Sequence, residues 1–157
     1  MVETNYFTSA NRALAVLVDP DKSDNEHLDS LLKNDALVDF YFVGGSLVTD
    51  YRFDEVVTYL KANSPKPVVL FPGSGMHISK EADAILFLSL ISGRNPEYLI
   101  GQQVQAAPRI RAAKLDVIPT GYMLIDGGNV TTASYISNTF PIPSEKNDVA
   151  ACTAIAG

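Results

Sequence analysis

The feature that most constrains the fold is a regular alternation of short apolar runs with segments of helical spacing. The runs "RALAVLVD" at 12–19 and "VDFYFVGGS" at 38–46 have the length of strands. Between such runs, "YRFDEVVTYLKAN" carries apolar side chains three and four residues apart, which is typical of an amphipathic helix. Near-continuous apolar strands joined by helical crossovers predict a parallel sheet. The sequence therefore predicts an α/β protein, with residues 1–157 forming a single domain.

Three further strands are predicted in "KPVVLFPGSG", "ADAILFLSL" and "DVIPTGYMLIDGG". In the last of these, Pro119 and Gly121 indicate an edge strand, a bulge or interrupted pairing, because proline cannot donate to a ladder and glycine weakens one. Serine, aspartate and asparagine favour the start of a helix because their side chains accept hydrogen bonds from its first free N–H groups. The predicted N-terminal caps are Ser23, Asp24 or Asn25, then Asn95, and finally Ser144.

Two architectures are compatible with this pattern, an open doubly wound sheet and a closed (β/α)8 TIM barrel. The first strand-to-helix turn, "VDPDKSDNEH", lacks the G-x-G-x-x-G fingerprint of dinucleotide-binding sheets. Small or polar residues instead follow several strands, which favours the barrel because its site is distributed over many strand ends. A full barrel takes about 250 residues, so we expect this chain to supply about five strands of its N-terminal part. These strand-end residues are Asp19, Ser46, Ser74, Ser89 and Asp126.

Charge and composition restrict the ligands. The net charge of −6 and the pI near 4.7 argue against a sequence-independent grip on nucleic acid, so an anionic ligand must be held locally by a metal or by backbone N–H groups. The segment "MVETNYFTSANR" has no signal-peptide pattern, and no apolar run approaches the roughly 18 residues that span a bilayer. The single cysteine, Cys152, is expected to be a small buried hydrophobe. A single cysteine rules out an internal disulfide framework, and this, with the absence of a signal-peptide pattern, predicts a cytoplasmic protein.

The stretch "AVLVDPDK" at 15–22 places Asp19 and Asp21 on either side of Pro20, where a strand ends. Mg2+ prefers oxygen ligands and typically takes one or two carboxylates, with water and substrate phosphate completing its shell. A carboxylate fixed at a strand end suits that role. Acidic residues of a turn before a helix are an equally open interpretation of the two aspartates.

Several motifs follow one another in an order that resembles the geranylgeranylglyceryl phosphate synthase family: "LVDPDK", "FVGGSLVT", "LFPGS", "SGRNPEYLIG", "PTGYMLIDGG" and "TFPIPSEKNDVAACTAIAG". The resemblance begins at about residue 10 and covers the remainder of the chain. Members of this family are magnesium-dependent TIM-barrel prenyltransferases, which join a polyprenyl diphosphate to the free hydroxyl of sn-glycerol 1-phosphate as an ether. The resemblance implies that this chain is similar to about the N-terminal two thirds of such an enzyme, ending before the family's glycerol-phosphate-binding glycines.

The resemblance also implies a set of site residues. It assigns Mg2+ to Asp19, with the hydroxyl-bearing Ser46 of "GGS" as a second ligand. Ser74, Arg94 and Tyr122 are candidate substrate-binding residues. Each of these three has an ordinary alternative: a turn-stabilising hydroxyl for Ser74, a loop ion pair for Arg94 and core packing for Tyr122.

One position departs from the family pattern. Some members read "K-L-D-P" at the first motif, whereas this chain has Leu17 in place of the lysine. The positive charge of that lysine is therefore not carried over, and we hypothesise that Lys22 partly replaces it. No general base is identified in the sequence.

The expected partners are a polyprenyl diphosphate and sn-glycerol 1-phosphate, with no nucleic acid. The family's lipid product implies peripheral contact with a membrane, and we expect a homo-oligomer. A non-catalytic ligand-binding or interaction protein built on a partial barrel is the alternative function, which an absence of turnover with both substrates saturating would indicate.

Overall fold

A computed structural model describes residues 12–49 and 52–157. The segment "MVETNYFTSANR", apart from its last residue, lies outside the described residues, and so does the expectation for it. The first residue of "YRFDEVVTYLKAN" also lies outside them. The strands are β1 (Ala15–Val18), β2 (Phe40–Val43), β3 (Val68–Leu70), β4 (Ala84–Leu90) and β5 (Asp116–Tyr122). The α-helices are α1 (Asn25–Leu32), α2 (Phe53–Asn63), α3 (Gln102–Ala113), α4 (Thr132–Ser137) and α5 (Asn147–Ala156).

The strands form one parallel sheet in the order β1-β2-β3-β4-β5, which is their order along the chain. Helices α1 and α2 connect the first three strands, and α3 connects β4 to β5. This confirms the predicted parallel α/β arrangement. The carboxyl ends of all five strands therefore lie at the same edge of the sheet.

Three helices cover one face of this sheet and make the main core. Leu28 of α1, Leu60 of α2 and Ile110 of α3 are buried in one cluster with the side chains of the strands. The opposite face carries a smaller cluster around Val69 and Leu86. A doubly wound sheet carries helices on both faces and reverses its strand order, whereas a (β/α)8 barrel keeps sequential order with helices outside. The predicted class, a partial TIM barrel, is thus confirmed.

Two of the predicted helix caps are present. Asp24 caps α1, because its Oδ1 accepts a hydrogen bond from the N–H of His27 at 2.8 Å. Asn95 accepts from the N–H of Glu97 at 3.1 Å, at the start of a π-helical turn, Glu97–Gly101, that leads into α3. The sequence did not predict this wider turn, which is rare in proteins and often found near functional sites.

Three predictions near the end of the chain are wrong or incomplete. Helix α5 begins at Asn147 rather than after Ser144, whose hydroxyl lies 3.5 Å from the carboxylate of Glu145 instead of capping the helix. Cys152 is exposed, because it lies on a helix that buries none of its residues. Helix α4 was not predicted; it begins with a capping box in which Thr131 and Ser134 exchange hydrogen bonds.

Strand β5 settles one open alternative. It pairs with β4 in unbroken register through Pro119 opposite Phe87 and Gly121 opposite Ser89, and within the described sheet it is the last strand. The unbroken register excludes a bulge and an interrupted pairing with β4 at these residues. Among the described residues, no helix combines the length and apolarity needed to cross a membrane.

The connection between β3 and β4, residues 71–83, differs from the other crossovers because it consists of turns and bends instead of a helix. Strand β3 is also short, so it pairs only with Ala84 and Ile85 of β4. The rest of β4 therefore lacks β3 as a neighbour. Both features leave room beside α3 on the helical side of the sheet.

A partly buried hydrogen-bond network joins three segments away from the carboxyl ends of the strands. The hydroxyl groups of Tyr41 and Ser64 both donate to Asp35 Oδ1, at 2.8 and 2.6 Å. The hydrogen bond from Ser64, together with the one from Tyr41, holds the pKa of Asp35 below its usual value of 3.8, although partial burial acts in the opposite direction. Burial, together with the Asp35 carboxylate, raises the pKa of Tyr41.

Replacing Tyr41 by Phe should lower the free energy of unfolding by about 1–2 kcal/mol, because it removes a hydrogen bond to a carboxylate. Since the folded pKa of Asp35 lies below 3.8, this contribution is complete above about pH 4 and disappears as pH falls through the folded pKa. Denaturant unfolding at several pH values measures it. Tyr135→Phe, at an exposed tyrosine, is the control and should change stability by less than about 0.5 kcal/mol. Equal losses in both variants would contradict this account of the network.

Candidate functional site

A cavity of about 210 Å³ opens at the carboxyl ends of the strands and continues beside α3. Its walls come from the loops after β2 and β3, from β4, and from the helices α3 and α4. Most of the wall is apolar. The polar exceptions lie at its strand-end mouth and along α3. Wall residues include Ser46, Phe71, Ser74, Leu88, Gln103 and Tyr122.

Asp19 follows β1 directly and adjoins this cavity. Its Oδ1 accepts from the N–H of Asp21 at 3.2 Å, which fixes the carboxylate at the strand end. A Cβ atom on Gly45 would lie 3.3 Å from the same oxygen, so the carboxylate abuts the loop after β2 immediately before Ser46. The structure thus brings Asp19 and Ser46, the two predicted metal ligands, to neighbouring strand ends.

Asp21 has a different environment, although its chemistry is the same. Its carboxylate accepts from both the N–H and the hydroxyl of Thr49, each at 2.9 Å through Oδ2. These bonds anchor the loop after β2 to the turn after β1. Asp21 therefore has the structural role that the turn interpretation of the two aspartates expects. Asp19, in contrast, adjoins the cavity.

Lys22 places a positive charge beside Asp19. Its Nζ lies 2.9 Å from Asp19 Oδ2, and its side chain is 80% exposed. The hydrogen bond and the attraction of Asp19 raise the pKa of Lys22 above its usual 10.5. Leu17 stands where some family members have lysine. The hypothesis that Lys22 partly replaces that positive charge requires Lys22 to lie near Asp19, as it does. Whether Lys22 acts on a ligand stays a hypothesis.

Two glycines allow the loops after β2 and β3 to pack backbone against backbone. A Cβ on Gly44 would lie 1.8 Å from the carbonyl oxygen of Phe71, and one on Gly73 would lie 2.1 Å from that of Gly45. A side chain does not fit at either position without displacing backbone. This close approach keeps Ser46 and the loop after β3 on the same side of the cavity mouth.

Two of the three candidate substrate-binding residues line the cavity. Ser74 lies in its wall, and its hydroxyl also accepts from the N–H of Met76 at 3.2 Å, as a turn-stabilising serine does. Tyr122 lies at the end of β5 with its ring edge-on to Phe71, the centroids 5.9 Å apart. Substrate contact by Ser74 and Tyr122 stays a prediction.

Arg94 lies elsewhere. It is exposed in the loop after β4 and lines a second, more open cavity beside α5, together with Leu99 and Cys152. The structure does not group it with Asp19 and Ser46, and its contact with a diphosphate stays a prediction. The neighbouring Asn95 donates to the carbonyl of Ser137 at 2.7 Å, which ties the start of the π-helical turn to the end of α4.

The remaining strand-end residues are less central than the sequence implied. Ser89 lies within β4, and Asp126 lies beyond the end of β5, where it accepts from the N–H of Gly128 at 2.8 Å. Neither lines the main cavity. These positions therefore serve the sheet and its following loop.

Sequence reasoning missed two glutamines of α3 that line the cavity. Gln103 is only 8% exposed and donates through Nε2 to the carbonyls of Leu88 and Tyr98. Its Oε1 is buried without a hydrogen-bond partner among the described residues. Gln102 accepts from the N–H of Gly75 at 3.2 Å. Paired glutamines near the start of an otherwise apolar helix face were the available signal.

His77 lies in the connection between β3 and β4 and supports the cavity wall. Its ring stacks on Phe53 with centroids 5.2 Å apart, and its Nδ1 accepts from the N–H of Gly73 at 3.2 Å. Burial lowers the pKa of His77 below its usual 6.5, and the carboxylate of Asp21 partly opposes this. Near neutral pH the ring is therefore uncharged and able to accept this bond.

The donor set at the strand ends suits one class of metal. Within the described part of the chain, no group of three or more histidine, cysteine, aspartate or glutamate side chains is arranged to hold an ion. Asp19 and Ser46 offer oxygen donors only, and one carboxylate is enough for Mg2+ when water and substrate phosphate complete its shell. The residues present therefore fit a magnesium ion that binds together with a phosphorylated ligand.

The sequential parallel sheet, the helices on one face and the cavity at the carboxyl ends of the strands define a protein of the β/α-barrel class with a ligand site in the position usual for that class. Comparison of sequences identifies the family within it. The profile of the PcrB family matches residues 8–157, and the chain belongs to the PcrB family.

Similar proteins have consistent names. The geranylgeranylglyceryl phosphate synthase of Spirosoma linguale is 54% identical over 155 residues, which are 98% of this chain and 62% of that protein. The protein of the same name from Pyrococcus furiosus is 40% identical, covering 90% of this chain and 57% of its own length. The chain thus spans about three fifths of the length of these relatives. The resemblance drawn from the motifs is confirmed.

A solved structure supports the same relationship. The crystal structure of (S)-3-O-geranylgeranylglyceryl phosphate synthase from Thermoplasma acidophilum, in complex with its substrate sn-glycerol-1-phosphate, superposes with a TM-score of 0.82 at 34% identity. The match covers 90% of this chain and 58% of that one. The fold and family of this chain are therefore established independently of its motifs.

Replacing Gly73 by Ala should lower the free energy of unfolding by about 1–3 kcal/mol, because the new methyl group would displace the carbonyl of Gly45 and overpack the loop. Gly127→Ala is the matched control, since a Cβ there meets nothing within 4 Å, and it should stay within about 0.5 kcal/mol of the parent protein. Chemical denaturation measures both. A Gly73→Ala protein as stable as the Gly127→Ala protein would show that the close loop packing is absent.

Proposed function

We propose that this protein is a prenyltransferase, which joins a polyprenyl diphosphate of the geranylgeranyl type to the hydroxyl of sn-glycerol 1-phosphate and forms an ether lipid precursor. The observation that carries the proposal is a largely apolar cavity with Ser46 at its mouth and Asp19 at the neighbouring strand end, against Gly45 of the cavity wall. The names of the relatives and the sn-glycerol-1-phosphate in the Thermoplasma acidophilum structure support it.

The cavity offers different environments for the two parts of a prenyl diphosphate. The diphosphate would lie at the mouth, near Asp19, Ser46 and Lys22. The hydrocarbon tail would lie between the β3-to-β4 connection and α3, where Ile78, Ala106 and Ile110 contribute apolar surface. Burial of the tail favours binding by roughly 25 cal/mol per Å² of apolar surface removed from water.

Mg2+ is the proposed cofactor, held by Asp19 and Ser46. When bound, it would neutralise charge on the diphosphate as this group leaves. In the reaction, the allylic C–O bond breaks and its electron pair leaves with the diphosphate. The acceptor hydroxyl then forms the new C–O bond at C1 and releases its proton. None of the described residues is assigned as the base that takes this proton.

The acceptor would approach from the same edge of the sheet. In barrels, a substrate phosphate commonly rests on backbone N–H groups of the loops after strands seven and eight. We therefore propose that the phosphate of sn-glycerol 1-phosphate is held by residues other than those of β1–β5. A cytoplasmic location, a homo-oligomeric state and peripheral membrane contact through the lipid product complete the proposal.

The test is ether formation from radiolabelled sn-glycerol 1-phosphate and geranylgeranyl diphosphate, with and without Mg2+, by the full-length protein. We expect magnesium-dependent, organic-soluble product. Binding of both substrates without any product would instead support the non-catalytic alternative. Failure to bind either substrate would contradict the proposal.

The same assay tests the metal ligand. Asp19→Asn removes the charge and keeps the shape, so it should reduce turnover at least 100-fold, a loss of about 2.7 kcal/mol of transition-state stabilisation, and abolish the magnesium dependence of diphosphate binding. Asp21→Asn, which disturbs the contact with Thr49, should have a milder effect. Calorimetric titration with Mg2+ and a prenyl diphosphate separates binding from catalysis. Equal effects of the two substitutions would refute the assignment of Asp19.

A further inference from the structure

The connection between β3 and β4 contains a segment that closes one side of the cavity. We call residues 72–78 the crossover strap. Pro72, Gly73, Ser74, Gly75 and Ile78 of the strap all line the cavity wall, whereas Met76 is 77% exposed. A helix would be fixed here by its own hydrogen bonds and its apolar face. The strap has only turn-type hydrogen bonds, from the N–H groups of His77 and Ile78 to the carbonyls of Ser74 and Met76, so its position depends largely on contacts with neighbouring elements.

The backbone N–H and the carbonyl of one strap residue, Gly75, both hydrogen-bond to side chains of α3. The N–H of Gly75 donates to Gln102 Oε1 at 3.2 Å, and the carbonyl of Gly75 accepts from an Arg109 Nη at 3.3 Å. Gln102 and Arg109 are seven residues apart, which is two helical turns, so they lie on the same face of α3. A Cβ on Gly75 would lie 3.2 Å from Gln102 Oε1, which shows how closely the strap approaches the helix.

The other end of the strap is held independently. Gly73 packs against the carbonyl of Gly45 and donates to His77, whose ring stacks on Phe53 of α2. The strap is therefore anchored at the cavity mouth by these contacts, Ile78 packs in the main core, and Gln102 and Arg109 hold Gly75 against α3. Loss of the α3 contacts would free the part that covers the apolar groove while leaving the mouth in place.

We propose that Gln102 and Arg109 are positioning residues, which hold the crossover strap against α3 so that it covers the bound hydrocarbon chain. This inference rests on the proposed function, because it assigns the groove to a prenyl tail. Neither residue would take part in bond formation. Their hydrogen bonds are of ordinary strength, so the strap can detach from α3 to admit a chain and return to enclose it.

The role predicts an effect confined to the hydrocarbon part of the ligand. In Gln102→Ala and Arg109→Ala, the affinity for the S-thiolo analogue of geranylgeranyl diphosphate should fall roughly 2- to 10-fold each, the loss expected for one hydrogen bond. The affinity for inorganic diphosphate, which reaches only the mouth, should not change. Gln102→Glu and Arg109→Lys, which keep an acceptor and a donor, should restore most of the affinity.

The chain supplies matched controls on the same helix. Gln105 and Arg111 are exposed and lie outside the cavity wall, so Gln105→Ala and Arg111→Ala should bind both ligands as the parent protein does. Amide hydrogen exchange of Gly75 gives a readout independent of any activity. It should become faster in Gln102→Ala, and it should keep the parent rate in Gln105→Ala.

Three results would overturn the inference. Gly75 exchange unchanged in Gln102→Ala would show that the contact does not hold the strap. Faster exchange with unchanged affinity for the thiolo analogue would show that the strap does not cover the chain. Equal weakening of inorganic diphosphate would show a general structural defect. If the parent protein binds the analogue but makes no ether, the proposed reaction fails and these affinity comparisons still decide the role of the strap.

Discussion

The structure depends on the packing of three helices against a single face of a parallel sheet. Leu28, Leu60 and Ile110 meet the strand side chains in one buried cluster, which fixes the helices outside and leaves the opposite face to a smaller group of apolar residues. Because the strands are parallel and sequential, every strand-to-helix loop lies at the same edge. That edge is where the candidate site forms.

Within this frame, the site results from two departures from regularity. Strand β3 is short and its crossover has no helix, so a groove remains beside α3 and is covered by irregular backbone instead. The π-helical turn before α3 and the buried amide of Gln103, which bonds to β4, shape the opposite wall. Ser46 lies at the mouth of this groove with Asp19 close to it, because their strands are neighbours. An apolar groove with oxygen donors at one end matches an amphiphilic ligand with a phosphorylated head.

Much of the fold could be predicted from sequence because its signals are local. Apolar runs identified all five strands, and Asp24 and Asn95 capped helices as expected, since capping depends on a few consecutive residues. Ser144 failed as a cap because a serine before a helical segment does not determine which residue begins the helix. Cys152 was misplaced because burial depends on what packs against a helix, and sequence spacing does not show that.

The site was predictable only in part, for the same reason. The strand ends and the family motifs indicated Asp19 and Ser46, and their proximity follows directly from parallel order. Asp21 and Asp19 have identical chemistry, and only the contact with Thr49 separates their roles. The bonds from α3 to Gly75 join residues 27 and 34 positions apart through a connection with no periodic pattern. No local signal in the sequence indicates such contacts.

The central claim is that the strand-end mouth and the groove beside α3 together hold a prenyl diphosphate. A crystal structure of the full-length protein with Mg2+ and a non-reactive prenyl diphosphate analogue tests it most directly. The account predicts a metal ion bound by the Asp19 carboxylate and bridging to the diphosphate, with the hydrocarbon chain running beneath residues 72–78 along α3. A chain bound on another surface, or a diphosphate remote from Asp19, would contradict it.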